Sequence, residues 1–174
     1  MSQRIDRLWA PWRLAYIEKS HKGKRTSKTS CPFCIAAKEK ASEKTLVLYK
    51  GKNYFIVLNK FPYNPYHLMV IPNVHEGDLT KLAPQTWLDI NKAAQISLKI
   101  LKKTLKPHGF NLGMNLGSAA GAGIAPHLHL HILPRWSGDT NFMPLIAETK
   151  ALPVHNATVY RRLKEEFKHF DSML

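Results

Sequence analysis

The chain reads as an α+β protein with a mainly antiparallel sheet, one long helix and one C-terminal helix. Three observations lead there. Short apolar runs of strand length follow one another from residue 45 to 72 with only turn and loop residues between them, as in hairpins. A stretch from Pro84 to Leu105 repeats its apolar residues at helical spacing. From Pro126 to Arg135, histidine alternates with large aliphatic residues at a period of two.

The 174 residues show no internal repeat and no composition shift that would divide them, so a single domain over 1–174 is expected. No apolar run approaches the roughly 20 residues a membrane span needs. The first residues carry no apolar stretch of the kind that directs export, and the two cysteines form no disulfide framework, so a cytoplasmic protein is expected. The formal charge of +14 favours anionic partners, either nucleic acid or small phosphate compounds. Its lysines are dispersed and no nucleic-acid motif accompanies them, which argues against a dedicated nucleic-acid function.

In chain order, Leu8 to Ile17 places Trp9, Trp12 and Tyr16 early, which suits a segment folded back over the core, or else a lid or a subunit contact. A basic surface loop, His21 to Lys28, follows. Cys31-Pro32-Phe33-Cys34 comes after a polar loop and not between a strand and a helix, which weakens a redox reading. It can be half of a zinc site or a pair of reduced bystander thiols, and His75, just past a strand end, is a candidate further ligand. A short helix is expected over Ile35–Lys44. Strands are expected over Thr45–Lys50 and Tyr54–Asn59, joined by Gly51-Lys52-Asn53. Phe61 to Tyr66, with two prolines, reads as a rigid loop, and His67–Pro72 as a third strand ending at its proline.

The long helix opens at Pro84, a residue suited to a first turn. Its apolar stripe runs through Trp87, Ile90, Ala94, Leu98, Leu101 and Leu105, and Pro107-His108-Gly109 ends it. Phe110–Leu116 reads as a fourth strand. The small-residue segment Gly117 to Pro126 lacks the Gly-Lys-Ser/Thr of a Walker loop and precedes a strand, but its amides can form an anion-binding nest. After a turn-rich loop from Trp136, Asn156 reads as the N-cap of a last helix, with Tyr160, Leu163, Phe167, Phe170 and Leu174 on its apolar side.

The histidine stretch carries the chemistry. On a strand, His127, His129 and His131 share one face while Leu128, Leu130 and Ile132 anchor the other. Alternate side chains on a strand stand nearly 7 Å apart (about twice the rise), too far for one metal ion to take all three, so separate roles follow. The central His129 can act as a nucleophile if its far nitrogen donates to an acceptor that fixes the tautomer. A phosphorus centre suits it, because basic groups and loop amides can stabilise the developing charge.

His127-Leu128-His129-Leu130-His131-Ile132-Leu133 resembles the His-φ-His-φ-His-φ-φ signature of the histidine triad (HIT) nucleotide hydrolases and transferases. The likeness extends to Leu58-Asn59, to His67-Leu68-Met69-Val70-Ile71-Pro72, and to Asn115-Leu116-Gly117-Ser118, covering roughly residues 45–136. Leu8-Trp9-Ala10-Pro11-Trp12-Arg13, Cys31 to Cys34 and Pro134 to Phe142 resemble the branch of bacterial diadenosine tetraphosphate phosphorylases and hydrolases. The resemblance implies a five-stranded HIT-like sheet, an N-terminal arm over 1–30, a C-terminal extension over 137–174, and at least a homodimer. It implies that His129 attacks the α-phosphorus of a dinucleoside polyphosphate, giving a nucleotidyl-histidine that water or phosphate resolves. A nucleotide-binding protein without catalysis is the alternative.

The same resemblance implies that His131 and His67 support the nucleophile and that His127 contacts the scissile or leaving phosphate. Asn59 would hold the ribose; Asn115, Gly117, Ser118 and Gly123 would hold phosphates. Many relatives carry Gln or Ser just before the triad. This chain has Gly121 to Pro126 there, so polar donors must come from loop amides or Ser118. Some relatives bind structural zinc through residues matching Cys31, Cys34, His75 and His127, a second role for His127 that competes with the first.

Overall fold

The structure, a computed structural model, describes residues 31–140 and 152–174. The aromatic segment Leu8 to Ile17 and the basic loop after it lie outside the described residues. Elements follow in the order α1 (Pro32–Lys38), β1 (Val47–Lys50), β2 (Tyr54–Leu58), β3 (Leu68–Pro72), α2 (Pro84–Leu105), β4 (Gly109–Gly113), β5 (Leu130–Arg135) and α3 (Asn156–Phe167). The five strands form one sheet in the order β1-β2-β3-β5-β4, and every adjacent pair is antiparallel. The α+β class and the mainly antiparallel sheet expected from the sequence are what the chain adopts.

The sheet has a core on each face, which is why β2 and β3 are buried along their whole length. On one side Leu48, Ile56, Leu58, Leu68, Val70, Leu130 and Ile132 pack with Ile90, Ala94 and Leu101 of α2 and Leu163 and Phe167 of α3. On the other, Val47, Phe55, Val57, Met69 and Ile71 pack with Phe33, Ala36 and Ala37 of the short α1. The pairings Met69↔His131 and Val70↔Leu130 set the division. By strand alternation, His131 faces the α1 side together with Met69 and His67, while Leu130 and Ile132 face the long helices.

Several boundaries differ from expectation, each for a local reason. Helix α1 begins at Pro32, not Ile35, because proline is favoured in the first turn, and it stops at Lys38. Beyond it Ser42 and Thr45 bond each other's backbone amides, 3.0 and 3.2 Å, a turn that competes with helix. Helix α2 ends on Lys106, which takes a left-handed φ of 48°, and β4 is shorter than Phe110–Leu116. Strand β5 begins at Leu130, so His127 and His129 lie in the approach to the strand and only His131 lies within it. His155, not Asn156, occupies the cap of α3; Leu174 is exposed and does not extend the apolar side.

Candidate functional site

Four buried imidazoles, His67, His127, His129 and His131, converge on the α1 face of the sheet. Their hydrogen-bond partners fix which nitrogen carries each proton, because a backbone N–H can only donate and a carbonyl can only accept. The amide of Tyr63 donates to His67 Nδ1 at 3.2 Å, and Asn59 Nδ2 donates to the same nitrogen at 3.3 Å. In the neutral ring His67 Nε2 therefore carries the proton and donates to His131 Nδ1 at 2.8 Å. The proton of His131 is left on Nε2, the single buried side-chain nitrogen or oxygen without a hydrogen-bond partner among the described residues. His129 Nδ1 lies 2.8 Å from the carbonyl oxygen of His127 and donates to it, which leaves Nε2 as a free lone pair. The rings of His129 and His131 meet edge to face, 4.8 Å between centroids.

Burial keeps these rings neutral. His67 is pushed down to about 3, first by desolvation and then by repulsion from His131 and His129; His131 is pushed down to about 4 by desolvation and then His129. His129 and His127 are also lowered, mainly by burial. A pH dependence of stability follows. The unfolded chain protonates these histidines near pH 6.5, whereas folded His67 and His131 resist protonation until about pH 3–4. Over that interval the unfolded state binds more protons, so stability is full above the unfolded value and is lost as pH falls. The denaturation midpoint should drop from pH 7 to pH 4, and the slope for His67→Asn should be shallower by about one proton. Equal slopes for the two proteins would contradict the assignment of a neutral His67.

A cavity of about 590 Å³ opens beside these rings, lined by His129 and His131 together with Asn59, Lys60, Phe61, Tyr63, Gly123 and Ile124. Its apolar wall is α1, through Pro32, Phe33, Ile35 and Ala36. Of the residues expected to hold substrate, Asn59 and Gly123 are on this wall. Asn115, Gly117 and Ser118 are not on it. Asn115 instead donates to the carbonyl of Gly121 at 3.3 Å, bracing the small-residue loop from outside. Gly121 has φ of +90°, where a side chain is strained, so Gly121→Ala should cost about 1–2 kcal/mol in chemical denaturation. Unchanged stability would mean the loop adopts another backbone path.

His127 stands apart from the other three. Its Nε2 donates to the carbonyl of Pro72 at 2.9 Å, and its Nδ1 lies 3.4 Å from Cys31 Sγ and 3.6 Å from Cys34 Sγ. His75 Nδ1 is 3.2 Å from Cys34 Sγ. One ligand atom from each of Cys31, Cys34, His75 and His127 falls within 4.8 Å of all the others. Tetrahedral zinc at the usual Zn–S and Zn–N lengths has ligand–ligand edges of about 3.3–3.8 Å, so the donor set and spacing can hold such an ion. Both nitrogens of His127 are engaged in this arrangement, Nε2 by the Pro72 carbonyl and Nδ1 by the two thiols.

Two positioning features were not legible beforehand. Phe33, between the cysteines, packs on His127 and His129, with ring centroids 5.4 and 5.1 Å away. Gly77 lies where a β-carbon would meet the Ala125 carbonyl at 2.5 Å, so it lets the His75 loop close on the approach to His127. Only its place two residues after the candidate ligand His75 hinted at this, and the sequence holds nine glycines.

The chain matches the HIT domain over residues 40–138. It is 36% identical over 151 residues to the AP-4-A phosphorylase of Mycobacterium tuberculosis, covering 86% of this chain and 77% of that protein. It is 30% identical over 93 residues to a bis(5'-nucleosyl)-tetraphosphatase [asymmetrical] of Schizosaccharomyces pombe, covering 53% of this chain and 50% of that one. Among solved structures it is similar to a Zn-bound histidine triad family protein from Mycobacterium smegmatis, with a TM-score of 0.65 and 27% identity over 84% of this chain and 99% of that one. With the five-stranded sheet, the convergent histidines and a match across more than half its length, the chain belongs to the HIT domain family.

Proposed function

We propose that the protein is a nucleotidyl hydrolase or transferase that cleaves the phosphoric anhydride of a dinucleoside polyphosphate of the diadenosine tetraphosphate kind. The observation that carries this reading is the polarity of the hydrogen-bond chain. It leaves a neutral His129 with its Nε2 lone pair free at the cavity, beside the unpartnered Nε2–H of His131. His129 Nε2 forms a bond to the α-phosphorus, and the P–O bond to the remaining oligophosphate breaks, the leaving oxygen keeping the electron pair. The positive charge that develops on the ring is stabilised by the His127 carbonyl through Nδ1–H. The Nε2–H of His131 donates to a phosphate oxygen, and Asn59 holds the ribose side of the cavity. Water or phosphate then attacks phosphorus, the P–N bond breaks, and neutral His129 returns.

A zinc ion, when bound by Cys31, Cys34, His75 and His127, supplies a structural cross-link. The four residues tie α1, the loop after β3 and the approach to β5 to one another. The tie holds the apolar wall of the cavity against the histidine stretch.

The likeness to the mycobacterial phosphorylase supports phosphate as the acceptor. Diadenosine tetraphosphate should give ADP and ATP, and only when phosphate is present. AMP and ATP produced regardless of phosphate would make water the acceptor. Absence of turnover of this or any adenylated substrate, with wild type and His129→Ala alike, would leave a nucleotide-binding protein without catalysis. The same reading includes a cytoplasmic homodimer, and sedimentation should give about twice the 19.8 kDa of one chain. A monomer at micromolar concentration would remove the dimer from the reading.

A further inference from the structure

Asn156 reads in the sequence as the cap of the C-terminal helix, yet the structure gives it other work. It is the first residue of α3, and its side-chain amide donates to the carbonyl oxygens of Asn59 and Lys60, at 3.1 and 3.3 Å. Those carbonyls lie 97 and 96 residues away in the chain, in the loop that leaves β2. That one loop supplies Asn59, Lys60, Phe61 and Tyr63 to the cavity wall. It also starts the proton-ordering chain, through the Asn59 and Tyr63 donors to His67.

The loop's internal bonds leave these two carbonyls unused. The Asn59 amide donates to the His67 carbonyl at 2.9 Å, and the Phe61 amide to Asn59 Oδ1 at 2.9 Å. Further along, Asn64 Nδ2 reaches Asp139 Oδ2 at 2.8 Å, fastening the loop's far side to the turn after β5. At its near side the fastening comes from Asn156. We infer that Asn156 is a positioning residue, which holds the turn at Asn59 and Lys60 in place and so sets how tightly the cavity grips the nucleoside end of its substrate. The inference rests on the nucleotide-site reading above.

Three measurements on the full-length protein test it. Asn156→Ala should raise the KM for diadenosine tetraphosphate about 10-fold, the worth of two ordinary neutral hydrogen bonds, with kcat within about threefold. The kcat holds because His129 is oriented from the other side, by the His127 carbonyl. Asn156→Asp separates positioning from helix support. A carboxylate in the first turn favours a helix, so a residue that served only α3 would lose nothing by this change. Facing two carbonyl oxygens, the carboxylate should instead raise KM beyond the alanine variant. Amide exchange at Phe61 and Tyr63 should accelerate about fivefold or more in both variants.

Wild-type KM and wild-type exchange in Asn156→Asp would overturn the inference. If wild type turns over no nucleotide, the functional reading fails by itself, and the exchange rates alone decide whether Asn156 braces the loop.

Discussion

His129→Ala should abolish turnover of diadenosine tetraphosphate, by roughly 10³-fold or more, while the protein still folds and still binds nucleotide. The magnitude is that expected when a covalent nucleophile is removed, since no other imidazole among the described residues lining the cavity offers a lone pair there. His131 is nearby, but its free position is an N–H and its other nitrogen accepts from His67, so it has no lone pair to offer. The cost in stability should be modest. The ring sits at the cavity edge, and alanine removes its contact with Phe33 and leaves the His127 carbonyl without its donor, about 1–3 kcal/mol together. Rapid quenching of wild type with labelled substrate should trap an acid-labile nucleotidyl protein, absent from the variant. Activity within 10-fold of wild type in a folded His129→Ala protein would rule out the nucleophile assignment.

Stripping zinc, or replacing Cys31 by serine, should lower the melting temperature by about 10–20 °C. The four ligands join segments as much as 96 residues apart, so the ion contributes directly to the free energy of folding. A contribution of about 5 kcal/mol, well below the largest seen for structural zinc, converts to that shift at 2–4 °C per kcal/mol for a chain of this size. The consequences reach the site, because α1 is capped by Cys31, carries Cys34, covers the second core cluster and forms the cavity's apolar wall. Metal analysis of protein purified without added zinc should give one ion per chain for wild type and none for Cys31→Ser. A metal-free wild type with an unchanged melting temperature would make the cluster a set of packed thiols and imidazoles.

Much of the molecule follows from patterns confined to a few consecutive residues. The stripe from Trp87 to Leu105 is a helix because its apolar residues recur at 3.6, and the runs between 45 and 72 are strands because they are short, apolar and separated by turn formers. The alternation from His127 to Ile132 separates two faces, and Cys31 to Cys34 with a distant His75 already suggested a metal site. Boundaries were less legible, since residues such as Pro32, Ser42 and Lys106 settle them through single backbone contacts that no periodicity reports.

The sequence by itself determined the α+β class, the candidate histidines and the chemistry open to them, because residue type and spacing are local properties. Only the tertiary structure set their surroundings apart. Whether an imidazole can be nucleophile, donor or metal ligand depends on which nitrogen bears the proton, and that is set in part by partners from other segments: His67 for His131, the Pro72 carbonyl and Cys31 for His127. The alternation placed His127, His129 and His131 on one strand face as equivalents. The fold starts β5 after His129, turns His127 toward the cysteines and leaves His129 at the cavity. Hydrogen-bond polarity between residues far apart in the chain is a property of the folded packing, and a linear pattern of residues carries no record of it.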